Sequence, residues 1–164
     1  MNMTHYMELL ATNQPWNLII FMAVPVVLAE TIAVTELYLL FTNNLRSWVR
    51  QLNRVAGILV GFYFTGIFLY LMNTAVIPLT RGGLWRGPAD VIAVGFYLAG
   101  IVPLLGIALL ELGILGKQRD ERGKPQLHAT FVALFLIVAH IAMIAGMLNP
   151  EVLGWHNPAM QMPM

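Results

Sequence analysis

The chain has no cysteine and little charge: of its 164 residues, 10% are Asp, Glu, Lys or Arg. Lack of cysteine removes disulfides, thiolate metal ligands and a thiol nucleophile. So little charge, against 59% hydrophobic residues and a mean hydropathy of +0.73, cannot cover a water-soluble globule. A net charge of +1 leaves no basic face for nucleic acid. The N-terminus has neither a basic region nor a small-residue cleavage site around a short apolar core, so no removable signal is expected and the first apolar segment is retained. Triad, phosphate-loop, H-E-x-x-H and dinucleotide patterns are also missing, which argues against hydrolysis and nucleotide chemistry and for a non-enzymatic role.

What the chain does have is length of apolar run. Four stretches, about 16–41, 55–79, 89–115 and 128–148, exceed the roughly 20 residues that cross a ~30 Å hydrocarbon core as a helix. The expected fold is all-α: a polytopic membrane four-helix bundle forming one membrane domain over 1–164, with an interfacial segment at 1–15 and a tail at 149–164. The loop after the first stretch carries Arg46, Arg50 and Arg54, and the loop after the third carries Lys117, Arg119, Arg122 and Lys124; the other side has only Arg81 and Arg86. The positive-inside rule then places both basic loops in the cytoplasm and both termini outside. Trp16, Tyr97 and Trp155 suit the outer interface and Trp48 the inner one.

A helical surface recurs in the chain. Ile32-Ala33-Val34-Thr35-Glu36-Leu37-Tyr38-Leu39-Leu40 returns as Ile107-Ala108-Leu109-Leu110-Glu111-Leu112-Gly113-Ile114-Leu115, both reading I-A-x-x-E-L-x-x-L at an offset of 75 residues. The matched positions fall at i, i+1, i+4, i+5 and i+8, one face of a helix. The same offset places Phe21 on Phe96, Gln51-Leu52 on Gln126-Leu127, Leu59 on Leu134 and Met72 on Met147. Two tandem helical hairpins are predicted, related by an axis along the membrane normal, with Glu36 and Glu111 facing one another in the inner leaflet. Pro25 and Pro103 are expected to kink their helices. Gly57, Gly61 and Thr65, and likewise Ala142 and Gly146, follow small-xxx-small spacing and predict close helix contacts.

Three groups could carry chemistry. Glu30 lies roughly 21 Å along the first helix at 1.5 Å per residue; an ionised acid there costs about 2.5–3.5 kcal/mol, so it should be protonated, paired or bound to a cation. The bland alternative is a protonated carboxyl bonded to a carbonyl or to Thr31. Glu36 and Glu111 are less costly, because Arg54 or Arg119 can pair with them. His140 is the one histidine well inside a predicted span, and Met143 and Met147 follow it on the same helical stripe, with Met72 as the repeat mate of Met147. Imidazole and thioether without thiolate suit Cu(I), and Met1, Met3, Met7, Met22, Met160, Met162 and Met164 all fall toward the same side. Methionine is equally a filler of gaps between helices. A bis-histidine haem is disfavoured, leaving only a His140/Met72 pair.

Residues 13–41, NQPWNLIIFMAVPVVLAETIAVTELYLLF, with Trp16, Pro25, Glu30 and Glu36, resemble a group of short, uncharacterised bacterial four-helix membrane proteins labelled permease-like. That resemblance implies a bacterial inner (cytoplasmic) membrane location and carries no ligand list. The expected function is a small integral membrane protein that binds or transports a cation, such as the soft metal Cu(I), between its hairpins. In that reading Glu30, His140, Met143, Met147 and Met72 are ligands, and Glu36 and Glu111 form the inner exit. The alternatives are a non-catalytic anchor or accessory subunit of a respiratory or transport complex, and a membrane cytochrome. The lipid bilayer is the expected partner, together with further copies of the chain or another subunit.

Overall fold

The computed structural model describes residues 3–42, 48–115 and 123–156, and among these there is no strand. A short helix α1 (His5–Ala11) precedes four helices long and apolar enough to cross a membrane: α2 (Trp16–Thr42), α3 (Trp48–Gly82), α4 (Gly87–Glu111) and α5 (Gly123–Met147). A 3-10 turn at Pro150–Leu153 follows. Arg119 and the methionines Met1, Met160, Met162 and Met164 lie outside the described residues.

The helices α3 and α5 begin earlier than the apolar runs, at Trp48 and Gly123, because hydropathy marks only the oil-immersed part of a helix. Polar residues continue it into the interface. As a result Arg50, Asn53 and His128 are helical and held in register with the core. At the other extreme α4 stops at Glu111, short of the predicted 115. Gly113 takes φ +73°, and the amides of Gly113 and Ile114 bond back to the Leu110 and Leu109 carbonyls at 3.0 and 2.9 Å, a Schellman cap.

Pro25 lacks the N–H that would bond the Phe21 carbonyl. A π-helical turn spans Ile19–Ala23 just before it, and two tyrosines on neighbouring helices serve the loosened carbonyls: Tyr97 donates to Phe21 at 2.5 Å and Tyr63 to Ile20 at 3.0 Å. Tyr97 therefore turns its half-buried ring toward α2, where its hydroxyl supplies the donor that the Phe21 carbonyl lacks. Pro103 sits just after a break in α4 at Gly100.

Packing runs α2 on α3, α3 on α4 and α4 on α5, while α2 and α5 meet only sparsely. The closest seam is α3 against α4. A Cβ on Gly57 would come 2.8 Å from Ile107, and one on Gly61 would come 2.5 Å from the Ala108 Cβ and 2.7 Å from the Leu104 carbonyl oxygen. The predicted small-residue contact of Gly57 and Gly61 is thus where the backbones approach. Gly146 is used differently from expectation: its space is filled by the ring of Tyr6 from α1, 2.7 Å from where a Cβ would stand. Ile32, Val60, Phe64, Leu104 and Ile107 form the fully buried centre.

Segment 3–11 is locked onto the end of the bundle rather than resting beside it. Thr4 caps α1 and donates to the Gly146 carbonyl at 2.7 Å. The fully buried Asp90 receives the His5 amide at 2.6 Å and the Arg86 amide at 3.2 Å, with the His5 Nδ1 2.6 Å away. Arg86 in turn reaches Glu8 at 2.6 Å and the Met3 carbonyl at 2.6 Å.

Candidate functional site: a buried charge cluster and a lateral cavity

At the end of the bundle opposite α1, four polar groups that the membrane should exclude are gathered in its centre. Glu36 on α2 and Glu111 at the end of α4 are both buried, as are Asn53 on α3 and His128 on α5. The imidazole of His128 lies between the carboxylates: its Nδ1 is 2.9 Å from Glu36 Oε2 and its Nε2 is 3.3 Å from Glu111 Oε1. Both contacts lie off the line of an ideal hydrogen bond. Arg50 grips Glu111 as a fork, Nη1 to Oε1 at 2.8 Å and Nη2 to Oε2 at 3.0 Å, the bidentate geometry that makes arginine–carboxylate pairs strong. Arg50 also donates to Asn53 Oδ1 at 3.3 Å. The Asn53 amide nitrogen then faces the Ile32 carbonyl, the Thr35 hydroxyl and Glu36 Oε2 at 3.2, 2.9 and 3.3 Å. Each charge in the cluster thereby has an opposite charge or a dipole beside it, the condition under which buried ions are tolerated.

A vestibule of about 300 Å³, walled by Arg50, Arg54, Lys124 and Glu111 among others, opens onto this cluster. Arg54, expected as a partner, pairs with neither acid among the described residues: Arg50, on the first turn of α3, is level with the end of α4 and takes Glu111, while Glu36 lies against His128; Arg119 is outside the described residues.

A separate cavity of about 210 Å³ lies nearer the middle of the bundle, where α2 and α5 part. Glu30, His140 and Met143, three of the five expected ligands, line it together with aromatic rings. Glu30 is exposed, and it makes no hydrogen bond or ion pair among the described residues; the neighbouring Thr31 hydroxyl is spent on the Val27 carbonyl at 2.7 Å. His140 Nδ1 is 2.6 Å from the Leu136 carbonyl, which in the neutral ring leaves Nε2 as the free acceptor. Met72 and Met147 stand off this cavity, Met147 being 63% exposed. Among the described residues no group of three or more His, Asp or Glu side chains, the Glu36–His128–Glu111 cluster included, is arranged to hold a metal ion.

His128, Arg50 and Asn53 were not singled out from sequence. By hydropathy His128 is the first residue of the fourth apolar run, and His140 is the one histidine well inside a span. A signal existed: at the offset of 75 residues His128 is the mate of Asn53, immediately after the matched Gln51-Leu52 and Gln126-Leu127, and both mates contact Glu36.

The described residues thus form an all-α bundle with four helices long and apolar enough to cross a membrane, packed around mutually compensating ionisable side chains. The chain belongs to DUF6803, a family of unknown function whose profile matches residues 1–162. No curated protein and no solved structure matches it.

Proposed function

We propose that the protein is a small integral membrane protein that takes up and passes a cation between its two hairpins, and that the cation is the proton. The observation that carries this reading is the position of His128, with one carboxylate at each ring nitrogen. Ionised carboxylates only accept, and a neutral imidazole has one N–H to give. Neither ring nitrogen makes a hydrogen bond in this arrangement, so the contacts hold by charge, and pairing the imidazole with both carboxylates takes one more proton than neutral His128 and two carboxylates contain. With that proton the charges of Glu36, Glu111, His128 and Arg50 sum to zero, which is the favoured state in a low-dielectric interior. Glu30, six residues and so about 9 Å along the axis of the same helix from Glu36, is the next station toward the terminal end. Thioether chemistry fits less well than proton chemistry, because Met72 and Met147 do not share the cavity of Glu30, His140 and Met143. In this reading the hairpins are tandem copies in a bacterial inner membrane, with the vestibule facing the cytoplasm, both termini outside, and assembly into an oligomer or beside another subunit.

The test is proton entry into liposomes reconstituted with the full chain, driven by an imposed potential and read with an enclosed pH dye. Wild type should acidify faster than empty vesicles, and His128→Gln, which keeps size and polarity but not the exchangeable charge, should fall to the empty-vesicle rate while keeping its helical content. Equal rates for wild type and His128→Gln, or no flux above empty vesicles, would refute the proposal.

A further inference from the structure

The lateral cavity has a composition that proton transfer alone does not call for. Phe21, Phe64, Phe96, Tyr97, Phe135 and Tyr6 line it, and Glu30 is on its wall. Aromatic faces carry negative quadrupole density and attract cations, most of all when water is excluded. A small, hard metal ion demands several oxygen ligands, and Glu30 is the single acid among the lining residues. An organic ammonium makes no such demand, because its charge is spread over alkyl groups that rings can cover. The walls otherwise offer few polar groups: the Tyr97 hydroxyl is given to Phe21 and His140 Nδ1 faces the Leu136 carbonyl, which leaves His140 Nε2 as an acceptor. The cavity lies where α2 and α5 separate, at the depth of Glu30, so a molecule dissolved in the bilayer has lateral access.

We infer that this cavity binds a membrane-soluble organic cation, an aryl or alkyl ammonium, with Glu30 as its counter-ion and the surrounding rings as its cage. Its volume of about 210 Å³ equals that of about seven waters at roughly 30 Å³ each, room for a single-ring ammonium. The site goes beyond proton passage. Glu30 is the one ionisable group that the two readings share, and the His128 cluster takes no part in the binding.

The probe is radiolabelled benzyltrimethylammonium, measured by equilibrium dialysis against the full chain in lipid nanodiscs. Wild type should bind it saturably. Glu30→Gln should bind at least tenfold more weakly. Its fold is expected to persist, since Glu30 makes no bond among the described residues, and circular dichroism checks this. Glu30→Asp, which keeps the charge, should stay within a few-fold of wild type, and Phe96→Leu should weaken binding about threefold by removing one ring. His128→Gln should bind as wild type does, so that failure of the proton reading leaves this one standing. Neopentylbenzene, the uncharged carbon isostere of the probe, should not displace it. No saturable binding by wild type, equal affinity in Glu30→Gln, or displacement by neopentylbenzene as effective as by the cation itself would each overturn the inference, the last by showing an apolar slot for lipid chains.

Discussion

Arg50→Met removes the fork that holds Glu111 and leaves a carboxylate with 3% of its side chain exposed without its guanidinium. Removing one partner of a buried ion pair costs about 3–5 kcal/mol. The Arg50 side chain is 36% exposed, so solvent screens the pair from that side and the lower figure, ~3 kcal/mol, is expected. At 1.4 kcal/mol per decade that is roughly a hundredfold in the folding equilibrium. Arg50→Lys keeps the charge but offers a point donor in place of a fork, and should cost about 1 kcal/mol. Glu111→Gln should cost about 1–2 kcal/mol, because His128 keeps a neutral acceptor and Arg50 can turn toward the vestibule. The double variant Arg50→Met/Glu111→Gln no longer buries an unpaired charge, so its cost should fall short of the summed single costs by about 2 kcal/mol. The measurement is reversible unfolding in mixed micelles of increasing denaturing-detergent fraction, followed by far-ultraviolet circular dichroism at constant pH. Additivity within ~0.5 kcal/mol would show that the fork contributes nothing to stability, and the account of how the cluster tolerates burial would fail with it.

Two further outcomes follow from packing and burial. Gly61→Ala drives a methyl group to 2.5 Å from Ala108 and 2.7 Å from the Leu104 carbonyl, backbone included, and should destabilise by about 2 kcal/mol or more; Gly66→Ala, with nothing within 4 Å, should be neutral or stabilise by up to ~1 kcal/mol in the same unfolding assay, and reversal of that order would refute the placement of the α3–α4 seam. Burial pushes the Tyr6 phenol from 10.0 up to about 12. The neutral form is the one the fold favours, so its contribution is complete below pH 10 and is lost as pH rises through about 12. The phenolate absorbance of wild type minus Tyr6→Phe should appear only near the upper value, and appearance near 10 would mean that α1 is not docked.

Hydropathy and spacing alone establish that the chain is all-helical with four bilayer-length helices, because twenty consecutive apolar residues have few other ways to satisfy their backbone in oil. Spacing also marked Gly57 and Gly61 as the place of close approach, and singled out Glu30, Glu36 and Glu111 as costly acids, since expense is a property of a residue type at a depth. Which groups relieve that expense is decided by side-chain reach across helices, and this is not written along any one of them. Arg50 and His128 fall at the polar edges of their helices, where a hydropathy reading sees only loop charge. Only the packed bundle shows them turned inward onto Glu111 and Glu36. Likewise the methionine stripe of α5 was visible in the sequence, but tertiary packing sends Met143 to the cavity and leaves Met147 63% exposed. A period of 3.6 residues tells which side chains share a face, and only the neighbouring helices tell what that face meets.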